Sequence, residues 1–258
     1  MRRHLRWLAI LGIPAAAAAV DHDNVDAGRP LRFEDAQPVA LHEWAIEIGP
    51  AFASQSRGRA GLALAAEAVH GFAMDTQMSL GVVAAAGDRA GSRETGLGVE
   101  TLEIGVLHAF NRELRRLPAL ALRAGAEFSP GGDRDGALLR VRTVASRGLV
   151  HYDRLHLNLD ADFAIGTPSG ERTFRPGAML GYSRPLGFPR RFDSTGVAEF
   201  GVRASEVEGA GAVASLGAGL RQQVSVRTVL DLGIRSELAS RGAPHEALAV
   251  VAGCSVGF

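Results

Sequence analysis

The stretch HLNLDAD places His156, Asn158, Asp160 and Asp162 at alternate positions, so on an extended chain all four point the same way. A histidine near carboxylates is the raw material of an acid–base pair. Neighbours two apart on a strand lie about 7 Å from one another, too far for a direct hydrogen bond, and no serine stands beside the row in sequence. The row therefore reads as a polar stripe facing an interior, balanced by Arg140 and Arg142, with no catalytic residue assigned. Other chemistry-bearing motifs are weaker still. The Gly-x-Ser-x-Gly elbow does not occur. GLGVET lacks the third glycine of a dinucleotide loop, and GGDRDG lacks the later ligands and closing glutamate of a calcium loop. Asp21, His22, Asp23 and Asp26 form an acidic cluster without fixed geometry, read as a solvated end and not a metal site. No metal and no cofactor is expected.

The elements that must position these residues are strands. From Glu43 onward apolar residues recur every second position. Trp44, Ile46, Ile48 and Phe52 share one face; so do Leu102, Ile104, Val106 and Phe110, and Leu155, Leu157, Leu159, Phe163 and Ile165. The opposite faces carry charge: Glu67, Glu103, Arg123, Glu127, Arg140, Arg142, then the His156–Asp162 row, and Glu199, Arg203, Asp231 and Arg235. His108 falls on the apolar side near a strand end and reads as interfacial. This spacing predicts roughly twelve strands of about ten residues and no sustained helix. Folding the sixth and seventh strands about a turn near Val150 sets Arg140 opposite Asp160 and Arg142 opposite Asn158.

The flanks add compartment. Residues 1–19 have a basic start, a short apolar run, Pro14 and an alanine tract, the three parts of a secretory signal peptide. Residues 20–42 are acidic, proline-containing and aperiodic, and are expected as an extended, solvated periplasmic lead-in. The final stretch EALAVVAGCSVGF alternates to a terminal Phe258. Equal numbers of basic and acidic residues, 28 each, argue against a nucleic-acid partner. Secretion, an even number of long strands and mixed charge on one face together predict an all-β fold. That fold is an antiparallel up-and-down transmembrane β-barrel over 43–258, with its apolar face to lipid and its charged face to the lumen. Phe258 is expected to serve as an assembly signal for the barrel-assembly machinery. Cys254 is expected on the lipid side as a small hydrophobe. Because the strand connections are short, none is expected to fold inward as a plug. Because aromatics are few, the interfacial girdles are expected to be faint.

Four stretches, GRPLRFEDAQPVALHEWAIEIG, LPALALRAGAEFSPGG, RLHLNLDADF and TGVAEFGVR, resemble a family of bacterial outer-membrane transporters of the MetA-pathway of phenol degradation type. The resemblance implies an outer-membrane barrel that passes small or hydrophobic compounds, and it brings no catalytic residues. The expected function is therefore a channel or transporter for small solutes in the bacterial outer membrane. Two alternatives stay open: a structural barrel that holds a partner, and, resting only on His156, a lipid-modifying enzyme.

Overall fold

A computed structural model describes residues 21, 24–25, 29–56, 60–87, 98–130, 136–239 and 245–258. The signal-peptide expectation for residues 1–19 lies outside them. So does most of the acidic cluster, of which Asp21 alone is described.

Alternation without a helical period leaves the backbone one way to satisfy its hydrogen bonds, which is to pair strand with strand. Twelve strands form: β1 (Trp44–Gln55), β2 (Ala60–Ala73), β3 (Thr76–Gly87), β4 (Gly98–Asn111), β5 (Ala119–Phe128), β6 (Ala137–Gly148), β7 (Arg154–Ile165), β8 (Phe174–Pro185), β9 (Ser194–Ala204), β10 (Ala212–Ser225), β11 (Thr228–Ala239) and β12 (Glu246–Gly257). Each pairs antiparallel with its neighbours in sequence, and β1 pairs with β12, so the sheet closes and has no edge. At the seam Phe258 N–H donates to the Trp44 carbonyl at 2.8 Å and Trp44 N–H donates to the Phe258 carbonyl at 3.2 Å. We call the end that carries Trp44 and Phe258 the lower end.

The outer face is apolar. Ile46, Ile48, Leu62, Leu80, Ile104, Leu157, Leu180, Leu216 and Leu232 are all exposed there, and Cys254 lies opposite Ile48 on the same face. Aromatic side chains gather at two levels. Trp44, Phe72, Phe110, Tyr152, Phe188 and Phe192 ring the lower end, and Phe52, Phe128, Phe163 and Phe174 the upper. Contacts tie neighbours within a ring: Trp44 stacks on His70 at 4.1 Å, His108 meets Phe110 edge-on at 5.2 Å, and Phe163 lies 5.1 Å from Phe174. The girdles expected to be faint are sparse but well placed, with ten of the fifteen aromatic residues of the sequence standing in them.

One register differs from expectation. Arg140 pairs with Asp162 and Arg142 with Asp160, two residues away from the predicted partners. The connection spans five residues, Leu149 to Asp153, and folds as a short 3-10 turn with His151 and Tyr152 at positive φ. A slip of two leaves every side chain on its predicted face, so the error changes partners and not parity.

Candidate functional site: a lumen filled from below

Side chains of odd-numbered positions on β1 and β12, and their equivalents elsewhere, point into the barrel. The lumen they line is not empty. The segment preceding β1, expected outside as a solvated lead-in, enters from the lower end and fills the lower half. No strand connection does this among the described residues; the plug comes from the N-terminal side of the barrel.

The wall holds this segment by its backbone, which has no sheet partner of its own. Val39 N–H donates to the Gln77 side-chain carbonyl at 2.6 Å, and Ala36 N–H to Ser146 Oγ at 3.0 Å. Asn158 clasps Glu34 from both sides, accepting its N–H at 2.7 Å and donating to its carbonyl at 2.9 Å. The Glu199 carboxylate accepts the N–H groups of Arg32 and Phe33 at 2.7 and 3.2 Å, and Arg142 donates to the Arg32 carbonyl at 3.0 Å. Above Arg32 the chain turns back, so that Arg29 reaches the lower part of β1 and β12 and the Val25 carbonyl accepts Asp35 N–H at 3.0 Å. The segment is thus an extended loop with its tip at mid-lumen. Accounting for every buried N–H and C=O is what lets an irregular stretch lie inside a protein.

Its side chains complete the seating. Val25, Leu31 and Phe33 pack with Met179 and Val197 in a small apolar cluster inside the charged lumen. Phe33 lies over Gly181, where any Cβ would collide with the ring, and 5.0 Å from His156. Glu34 pairs with Arg123 at 2.9 Å and lies 3.7 Å from Arg142; Asp35 pairs with Arg154 at 2.9 Å. Arg32 pairs with Glu237 and, at 3.2 Å, with Glu246. Arg29 pairs with Glu47 and lies 3.6 Å from Asp231.

The predicted lumen residues all face inward. Glu67 and Glu103 share Arg123, each at 3.2 Å, and Ser79 accepts from the same guanidinium at 3.0 Å. Glu127 and Asp162 hold Arg140 at 2.7 and 3.0 Å, and Asp160 holds Arg142 at 2.7 Å. Arg203 lies 3.3 Å from Glu237, and Arg235 lies 3.6 Å from Glu246. His156 is wholly buried. Contrary to expectation, serines do stand beside it: its Nδ1 is 3.0 Å from Ser146 Oγ and its Nε2 3.1 Å from Ser183 Oγ. They come from the adjacent strands β6 and β8, so the linear row concealed them. Ser146 is already engaged by the plug through Ala36, and Phe33 covers the ring.

Sequence reasoning missed Glu47, Arg175, Arg221 and Glu237, all inward; Glu246, which turns inward against the parity of β12 at its irregular first pair with β1; and the plug's Arg29, Arg32, Glu34 and Asp35. Glu47 and Glu237 were open to the same parity argument as their neighbours. Residues 29–36 carry no such signal, because a segment bonded through side chains has no period.

Above Arg32 the lumen opens into a cavity of about 350 Å³, lined by Arg32, Glu67, Glu103, Arg140, Asp162, Arg175 and Arg203 among others. A smaller space of about 190 Å³ lies nearer the upper rim, between Glu127, Thr167, Glu171 and Glu206. At about 30 Å³ per molecule the larger cavity has room for about a dozen waters. The wall of this cavity offers both donors and acceptors, interspersed with apolar side chains such as Leu138 and Met179.

Comparison with known proteins adds the fold. No family model matches the chain, and no curated protein matches it, so the specific phenol-degradation family stays a likeness of four stretches. Solved structures do match. An outer membrane channel from Pseudomonas putida F1 superposes with a TM-score of 0.67 over 91% of this chain and 100% of its own, at 11% identity. The NanC porin gives 0.57 over 83% of this chain and 98% of its own at 8% identity. The KdgM porin, solved with disordered oligogalacturonate, gives 0.56 over 82% and 99% at 9% identity. The chain shares the architecture of these barrels.

Proposed function

We propose that this protein is a bacterial outer-membrane channel for small polar solutes, held closed here by its own N-terminal segment. Three features support the membrane part. The outward face is apolar on every strand. Two aromatic levels bound it, eight residues apart on β1 between Trp44 and Phe52. That spacing is about 27 Å along the strand and about 20 Å along the axis at a tilt of about 40°, close to the apolar band of such barrels. The lower end then faces the periplasm, and Phe258 at the seam is the natural handle for the assembly machinery.

The observation that carries the channel reading is the cavity floor. The charged cavity ends on Arg32, which belongs to a segment outside the barrel wall and joined to it at one point, near Glu43. Removing that floor requires no strand to move. In planar bilayers the intact protein should conduct poorly, and a variant lacking residues 20–36 should show large, frequent current steps. If neither form conducts ions or passes solute in liposomes, the channel reading falls.

The dense ion pairing of the lower lumen favours one second reading, a sealed barrel that serves as a scaffold. It predicts silence in both recordings and a partner that co-purifies. A catalytic role for His156 gains no support, since Phe33 lies against its ring, its flanking serines are buried, and no carboxylate among the described residues bonds it.

A further inference from the structure

We propose that the wall pocket now filled by Arg29 is a subsite for small solutes bearing a guanidinium or amidinium group, and that such cations compete with the plug for it. The inference rests on the channel reading for the event that empties the pocket.

The pocket is built by the barrel alone. Its groups come from β1, β11 and β12, so it persists when the segment leaves. Arg29 Nη2 donates to the Glu47 carboxylate and to Ser255 Oγ at 3.1 Å. Nη1 donates to the main-chain carbonyls of Ile48 at 3.0 Å and Cys254 at 3.4 Å, and lies 3.6 Å from Asp231. The Glu47 carboxylate, Ser255 Oγ and the two carbonyls accept from the guanidinium, and the Asp231 carboxylate stands beside it at ion-pair distance. Two carboxylates, a hydroxyl and two carbonyls around one site match a planar cation with five N–H donors better than a compact ammonium with three.

Space and charge agree with that chemistry. A Cβ at position 253 would collide with Nη1 and stand 2.6 Å from an Asp231 oxygen, so Gly253 is what leaves room for a flat group beside the carboxylate. Glu47 and Asp231 bring two carboxylates to the site, and Arg221 stands opposite Asp231 in the β10–β11 register. Both carboxylate side chains are at most 3% exposed in the filled state. Once the plug leaves, they border the water path that it had blocked, and a buried charge without a partner is strongly disfavoured. A passing cation of the right shape is the group best able to take Arg29's place.

The test reads binding and seating, not conduction. Methylguanidinium is titrated by calorimetry against detergent-solubilised Arg29→Ala protein, with folding checked by heat-modifiable mobility. Expected is millimolar binding, at least tenfold weaker in wild type and in Arg29→Ala/Glu47→Gln, and several-fold weaker for methylammonium. Binding equal in wild type, or unchanged by Glu47→Gln, overturns the subsite. Should Arg29→Ala fail to fold, Ala36→Cys in a Cys254→Ala background replaces it. Methylguanidinium should speed maleimide labelling of residue 36 several-fold, while equal methylammonium or sodium chloride should not; equal rates overturn the proposal. A barrel that conducts without binding methylguanidinium defeats this inference alone. One that binds it and never conducts defeats the channel reading alone.

Discussion

The two halves of the lumen use the same chemistry to opposite ends. Both are lined by arginines and carboxylates projecting from alternate strand positions. In the upper half the charges pair mostly wall to wall: Arg140 with Glu127 and Asp162, Arg203 with Glu237, Arg235 with Glu246, the last two carboxylates being shared with Arg32 at the tip of the plug. Of these side chains Arg140, at 33%, and Arg203, at 39%, keep the most surface open to the cavity. In the lower half the wall charges pair with the plug: Glu47 with Arg29, Arg123 with Glu34, Arg154 with Asp35. These pairs are almost wholly buried, apart from the Arg154 side chain at 20% exposed. A half-exposed pair is screened and contributes about 0–1 kcal/mol. Breaking a buried one by deleting a partner costs about 3–5 kcal/mol, because a charge is left behind. The same residue types therefore tune the upper lumen and lock the lower one.

This contrast can be broken in graded steps. Removing residues 20–36 abolishes the lower seal outright, and single-channel conductance should rise at least about tenfold while heat-modifiable mobility persists. Arg29→Ala leaves the segment in place but takes away one of its buried ion pairs. At about 3–5 kcal/mol, and about 1.4 kcal/mol per factor of ten, the open fraction should rise by about two to three and a half orders of magnitude in recordings of open probability. Gly181→Val puts a side chain where Phe33 lies. Overpacking of about 1–3 kcal/mol should raise open probability by about one to two orders of magnitude, with unit conductance unchanged. Glu127→Gln removes a partner of Arg140 in the upper half and touches no residue of the plug. It should shift the reversal potential in a salt gradient toward anion preference and change open probability less than about fivefold. An effect of Glu127→Gln on gating as large as that of Arg29→Ala would erase the distinction between the halves.

Much of the barrel was legible in the sequence because a strand has a period of two and a barrel imposes it everywhere. Each charged residue that opposed an apolar neighbour, from Glu67 to Arg235, points inward. The partners were less legible. Turn geometry sets register, and the two left-handed residues His151 and Tyr152 lengthened one connection, moving Arg140 from Asp160 to Asp162. The serines flanking His156 were hidden for the same reason, since they meet it across strands. Least legible was the plug. Its order comes from Asn158, Glu199, Ser146 and Gln77 bonding its main chain, and no local pattern in RPLRFEDAQPV encodes partners that lie 38 to 167 residues away. In hindsight the apolar Leu31 and Phe33 were the clue, because a solvated lead-in has no use for them.

The account stands or falls on whether the segment leaves the lumen when the channel opens. A disulfide between Ala36→Cys and Ser146→Cys, in a Cys254→Ala background, would tether the plug where Ala36 N–H now meets Ser146 Oγ at 3.0 Å. In a bilayer the oxidised protein should stay closed, and dithiothreitol added to the same membrane should restore openings. Equal conductance before and after reduction would show that solute passes with the segment seated, and that the lumen is gated elsewhere or not at all.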